Sequence, residues 1–237
     1  MQFNDESKCD PKLGKKVFEH LKKKGYLSAE TGTRLDSKEQ IEKIKPLVAK
    51  MIETLGLDLN DPQLKETPKR VAKMWVNELA GGLDWSKFPK FTTFPEGKAT
   101  TNSFIVEKNC PFYATCSHHM LPFFGLKGGN GHYDFGPGCT IAYIPNGKIA
   151  GISKFPRLSI FMSSRPCNQE ELANILRETI CFLLDTEDVA VYMQGFHSCQ
   201  FSRGARANGS MIVLSASGKF LTDQHIRNEF LAIARED

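Results

Sequence analysis

Cys116 and His119, in the stretch "ATCSHHMLPFFG", have the spacing of a metal clip, and a second histidine, His118, stands between them. On an extended chain, adjacent side chains point to opposite faces. One ion would not easily take both imidazoles, so a division of labour is expected. A second pair lies in "GFHSCQFSRGAR", where His197 and Cys199 are two residues apart in an expected strand. Side chains at that spacing share a face. Two thiols with one or two imidazoles suit zinc best, by ligand softness and tetrahedral geometry. A structural zinc site carries four protein ligands, whereas a catalytic one carries three and keeps a position for water. If Cys116, His119 and Cys199 are the ligands, His118 and His197 remain as the proton-transfer groups that a hydrolysis needs. Spacing alone also admits a plainer reading, in which the cysteines are buried and the histidines structural.

A set of cations could face the same place. Ser153, Lys154 and Arg157 fall in "GISKFPRL", with Ser153 placed to cap a short helix and Lys154 and Arg157 on one face of it. Arg203 and Arg206 follow the His-x-Cys pair. Together they would grip a polyphosphate. Taken singly, each reads as an ordinary solvated charge. Gln169 and Glu170 open a long helix, where the helix dipole keeps a carboxylate ionised. An ionised glutamate only accepts hydrogen bonds, as the two N–H groups on the Watson–Crick edge of guanine require. The alternative is a helix-start acid, and Glu171 fits that directly, in a capping-box-like pair with Asn168.

The elements that must position these residues read as an α+β fold with a mostly antiparallel sheet. Residues 1–37 read as an N-terminal extension, a short basic helix and then a polar linker, together a solvated arm, with no aromatic interleaving of the kind that binds nucleic acid. Residues 38–95 read as a helical part. Ser37 and Gln40 resemble a capping box, Pro46 should kink or split the helix, and Thr67-Pro68 starts the next one. Residues 100–237 read as a sheet-and-helix part. It has strands over 103–150, a glycine-rich connection "KGGNGHYDFGPG" within a hairpin, a helix from Asn168, two more strands and a last short helix.

The chain has 237 residues, 41% hydrophobic and 24% charged, which is ordinary for a globular protein of one domain. A net charge of +4 does not demand nucleic acid but would suit a small anion if the cations cluster. No apolar run has the length of a membrane span, and the first ten residues carry no signal-peptide pattern. Seven cysteines at irregular spacing argue for a reducing cytoplasm, where they serve metals or catalysis.

From Ile41 to Ala234 the sequence resembles the GTP cyclohydrolase I family, on "ETPKRVAKMW", "CSHH", "YIPNGKIAGISKFPRL", "RPCNQEEL", "HSC" and "SRGAR" in the family's order. The resemblance implies a tunnelling fold, with sheets of several subunits joined into a barrel and pentamers stacked as decamers. It implies zinc on Cys116, His119 and Cys199, and acid–base roles for His118 and His197. It also implies Gln169 and Glu170 on the guanine edge, Ser153 on the ribose, and Lys154, Arg157, Arg203 and a neighbouring subunit's Arg70 on the triphosphate. The implied reaction turns GTP and water into 7,8-dihydroneopterin triphosphate and formate, without nucleic-acid or membrane partners. The chain departs from the family at Ser117, where glutamate is usual, and at Glu171, where a base is usual. It also departs in an insertion of about a dozen residues around Gly128–Gly138 and in "SMIVLSAS" near Ser210. Two rival readings are a nitrile reductase of the same fold, for which Cys167 would be the nucleophile, and a non-catalytic zinc-stabilised oligomer that only binds nucleotide or a partner.

Overall fold

The computed structural model describes residues 5–97, 103–126 and 138–236. Asp10 caps the first helix, α1 (Pro11–Lys23), by accepting from the Leu13 N–H at 2.9 Å, and His20, Lys22 and Lys23 crowd its negative end. Its apolar stripe is not solvated. Val17 and Leu21 are fully buried in the main core with Leu27 behind them, about 1.5–3 kcal/mol for each side chain. The solvated-arm expectation therefore fails for this segment: a basic composition hid an amphipathic helix. Glu30, farther along the extension, accepts from the Trp85 indole at 2.9 Å and pairs with Arg165, whose guanidinium is 2% exposed and lies over the Trp85 ring.

The helical part follows. Helix α2 (Ser37–Thr54) is capped by Asp36, one residue before the expected Ser37, and runs through Pro46 without being split. Helix α3 (Thr67–Met74) starts with Pro68 in its first turn but has no side-chain cap. A π-helical turn, Trp75–Leu79, closes it. The short β1 (Thr93–Pro95) pairs antiparallel with β6 (Lys148–Ala150).

In the main sheet, β2 (Ile105–Cys110) and β3 (Phe112–Cys116) follow one another across Pro111. They pair antiparallel with β5 (Gly138–Tyr143) and β4 (Pro122–Gly125) respectively. β4 and β5 both lie antiparallel to β8 (Val189–His197). Pairing steps two residues along β8, from Phe196 to Gln194, while its partner advances fourteen, from Phe124 to Gly138. β4 and β5 are thus one strand course interrupted by about a dozen residues. Gly125 and Gly138 meet at the interruption, where a Cβ on Gly125 would fall 2.7 Å from the Gly138 Cα. The glycine-rich connection was expected inside a hairpin; its ends instead interrupt a strand, and residues 127–137 lie outside the described residues. The hairpin that does form is β3–β4, and its turn carries His118 and His119.

Helix α4 (Lys154–Ser163) packs against β3, and β7 (Pro166–Cys167) adds to β3 in parallel. Helix α5 (Gln169–Leu184) lies across β8 and β9 (Ser210–Ala216). Side chains alternate along β8, as a two-sided strand requires. Val189, Val191 and Met193 enter the α5 core, while Ala190 and Tyr192 enter a second core. Phe220 of α7 (Lys219–Thr222) and Phe230 of α8 (Gln224–Arg235) complete that second core. Between β8 and β9 stands one short helical turn, α6 (Ser198–Phe201). The architecture is α+β with an antiparallel sheet, apart from β7. Among the described residues no helix is long and apolar enough to cross a membrane.

Candidate metal centre and active site

Cys116 ends β3 and is held from both sides. Its N–H donates to the Leu121 carbonyl at 2.8 Å, closing the hairpin, and its register partner across β3–β7 is Cys167. His118 and His119 follow in the exposed turn, and Met120 takes a left-handed φ of 54° to complete it. The two imidazoles are thus separated by a turn, not by the alternation of a strand. His197 is the last residue of β8, and Cys199 lies beyond it in α6. The expectation that His197 and Cys199 share a strand face is corrected here, because the strand stops at His197. The helical turn nonetheless swings Cys199 toward the hairpin. One ligand atom each from Cys116, His119 and Cys199 falls within 4.8 Å of the others, a group that could hold a metal ion. Burial, and then the neighbouring Cys116 thiol, push the Cys199 thiol up; Arg203 works the other way. A cation among these donors would reverse that preference, since metal binding displaces thiol protons.

His118 stands next to this group, its Nδ1 3.7 Å from the Cys116 Sγ. His197 is half-buried, and its ring stacks on Phe123 with centroids 4.7 Å apart and planes 4° from parallel. Burial lowers its pKa, opposed by the charge of Glu170. Its Nε2 lies 2.8 Å from the Gln169 Oε1. Gln169 was expected to meet substrate beside Glu170, but its side chain is 0% exposed and its amide also donates to the carbonyls of Met193 and Met211. Glu170 is exposed on the first turn of α5. Asn168 caps that helix by accepting from the Glu171 N–H at 2.7 Å, and burial raises the Glu171 pKa.

The cations are not gathered at this centre within one chain: Lys154 and Arg157 start α4 beside β6, near the Val189 end of β8, whereas the donor group lies beyond its His197 end. Ser153 immediately precedes α4 and makes no capping hydrogen bond. Lys154 and Arg157 share the first turn of α4 and form no ion pair among the described residues. Arg203 and Arg206 are exposed after α6, with Arg206 at a φ of 49°. Arg70 is exposed on α3, whose main neighbours are α2 and the following π turn; no described contact joins it to the other cations. Cys167 is 2% exposed, donates to the Arg165 carbonyl, and is pushed by burial to about 12. Burial therefore disfavours the thiolate that a nitrile reductase would need at this position. Sequence reading missed the Phe123 stack and the Gln169 contact. Their one visible signal was Gly195, two residues before His197: a Cβ there would lie 2.7 Å from the Phe112 ring and 3.0 Å from the Gln169 Oε1.

The sequence model of the GTP cyclohydrolase I family matches residues 44–235, most of the chain. The chain belongs to the GTP cyclohydrolase I family. GTP cyclohydrolase 1 of Flavobacterium johnsoniae is 38% identical over 203 residues, 86% of this chain and 85% of that protein. GTP cyclohydrolase 1 of Aeromonas hydrophila subsp. hydrophila is 37% identical, covering 90% of this chain and 92% of its own length. That of Vibrio cholerae serotype O1 is 36% identical over 194 residues. Helix α1 and Glu30 lie before the span matched by the family model, yet Val17 and Leu21 of α1 enter the same core as the family's own elements and Glu30 pairs with Arg165.

Proposed function

We propose that this chain hydrolyses GTP, releasing formate and forming 7,8-dihydroneopterin triphosphate, with zinc held by Cys116, His119 and Cys199. The convergence of those three donors beside two further imidazoles carries the reading. Two thiols and one imidazole fit zinc, and three protein ligands leave a fourth position open. When bound, zinc acidifies water so that hydroxide is available near neutral pH. Water adds at C8 of guanine. His197 gives a proton to N7 as the five-membered ring opens, and His118 moves protons in the second hydrolysis that releases formate. The ribose then undergoes an Amadori rearrangement and the new ring closes. Glu170 accepts from the two N–H groups of the guanine edge, and Ser153 contacts the ribose. Lys154, Arg157 and Arg203 bind the triphosphate, joined by Arg70 of a neighbouring subunit. The test is purified protein with GTP: formate and a fluorescent pterin in equal amounts are expected, with one zinc per chain. Nucleotide binding without formate would establish a non-catalytic binding oligomer instead.

The assembly belongs to the same proposal: a tunnelling fold whose sheets join into a barrel, in pentamers stacked as decamers. Two features support it. Among the described residues β9 pairs on one side only, and exposes Ile212 and Leu214. Helix α2 exposes Leu47 and Met51, and its C-cap Leu55 extends that stripe. Mixing Arg70→Ala subunits with Cys199→Ala subunits, each inactive alone, should restore activity where a complete site forms between them. Mixed oligomers that stay dead would end the shared-site proposal. Seven cysteines without a disulfide support a reducing cytoplasm.

A further inference from the structure

Gln169 sits at the first position of α5, beneath β8, with no exposed surface. Its amide has two N–H donors and one carbonyl. The Nε2 lies 3.0 Å from the Met193 carbonyl and 3.0 Å from the Met211 carbonyl. Turning the amide over would set its oxygen against two carbonyl oxygens, so the backbone of β8 and β9 dictates which way it faces. The Oε1 must then point at His197, whose Nε2 lies 2.8 Å away. A carbonyl oxygen cannot donate, so His197 Nε2 must carry the proton. Phe123, stacked flat on the imidazole, holds the ring plane in which that bond is made. Gly195 leaves room for the arrangement from the β8 side.

We infer that Gln169 is a positioning residue for His197, fixing its proton on Nε2 and leaving Nδ1 as the nitrogen that exchanges a proton with substrate. It does not read the base. The inference deepens the proposed GTP hydrolysis and rests on that reading for the role of Nδ1; the tautomer itself does not depend on it. In this arrangement the two neighbours in sequence are divided between tasks. Gln169 faces inward and sets the imidazole, while Glu170 faces outward.

The experiment uses the full-length zinc-loaded protein labelled with ¹⁵N in its histidine rings. Two-bond ¹H–¹⁵N spectra separate the two neutral tautomers, and a His197→Gln spectrum assigns the resonance. The neutral ring is expected with its proton on Nε2. A wild-type ring protonated on Nδ1 overturns the inference, whatever the activity turns out to be. Gln169→Met removes the acceptor while keeping the length of the side chain. It should lower kcat by at least about 10-fold, short of the about 10²–10⁴-fold that a lost acid–base group costs, and leave KM for GTP within about 3-fold. Gln169→Glu keeps an oxygen toward His197, and its buried carboxyl stays protonated to donate to a strand carbonyl. It should retain the Nε2 tautomer and recover most of kcat. A KM raised 10-fold or more in both variants, with kcat and tautomer unchanged, would return Gln169 to the substrate. If Gln169→Met does not fold, the wild-type tautomer and Gln169→Glu decide. A fixed Nε2 tautomer in a protein that releases no formate would leave the positioning contact standing and remove the GTP reading.

Discussion

The candidate site has a built half and an open half. In the built half, Gln169, His197, Phe123 and the backbone of Cys116 are tied together by β3, β4, β8 and the start of α5, and both polar atoms of the Gln169 side chain are partnered within one chain. In the open half, His118, His119, Glu170, Arg203 and Arg70 stand exposed on a hairpin turn, a first helical turn, a bend and a separate helix. The contrast teaches that one chain fixes the chemistry and leaves the grip on the substrate to be completed. A buried polar group without a partner costs about 1–3 kcal/mol, so the built half must be finished on folding. Exposed cations carry no such penalty and can wait for triphosphate or a neighbouring subunit.

The largest test of this contrast is Cys199→Ala, which joins the two halves. It should abolish activity and lose zinc by atomic emission. Cys199 only borders the main core, which is built from other elements, so the variant should still fold, with a thermal midpoint lowered mainly by the loss of bound zinc. A variant that keeps stoichiometric zinc would show that the ligand set is misassigned.

The paired histidines sharpen the contrast next. His119→Ala should loosen or strip zinc. His118→Ala should keep zinc and bind GTP, yet turn over about 10²–10⁴-fold more slowly. Zinc content and single-turnover formate release on both variants separate ligand from acid–base group. If His118→Ala loses the metal and His119→Ala keeps it, the pair is assigned backwards; the 3.7 Å between His118 Nδ1 and Cys116 Sγ makes that a fair contest.

Glu170→Gln should act less, and on KM more than on kcat. An amide would present N–H groups to the N–H groups of guanine, costing about 1–3 kcal/mol, or about 5- to 150-fold in KM. Unchanged KM and kcat would make Glu170 a helix-start acid and nothing more.

What the sequence made legible follows the same division. Cys116, His119 and Cys199 could be paired from residue type, because thiol and imidazole together are chemically narrow. The reason given for His197 and Cys199 was wrong in its geometry: strand alternation does not operate, and a helical turn does the work. The inward contacts of Gln169 were not legible because its partners are backbone carbonyls of Met193 and Met211, and carbonyls leave no mark on composition. The extension was misread for a different reason. Its lysines dominate the composition, while three apolar residues, Val17, Leu21 and Leu27, decide its burial.

The smallest expected effect is at Cys167, and it tests whether a place in the donor group, rather than burial, sets a working thiol apart, since Cys116 and Cys167 are both buried. Cys116 and Cys167 face each other in the β3–β7 pair, so they share nearly the same place in the fold. One is offered to the metal group with His119 and Cys199; the other donates to the Arg165 carbonyl and is pushed to about 12 by burial. At pH 8 such a thiol is about four pH units below its ionisation, leaving roughly one thiolate in 10⁴. Iodoacetamide should therefore not alkylate Cys167 in the native protein, as read by peptide mass spectrometry. Cys167→Ala should change kcat/KM less than about 3-fold, with a stability loss of about 1 kcal/mol for a buried side chain reduced to a methyl group. Loss of activity in Cys167→Ala with zinc and fold intact would make Cys167 a working thiol, although it stands outside the donor group of Cys116, His119 and Cys199.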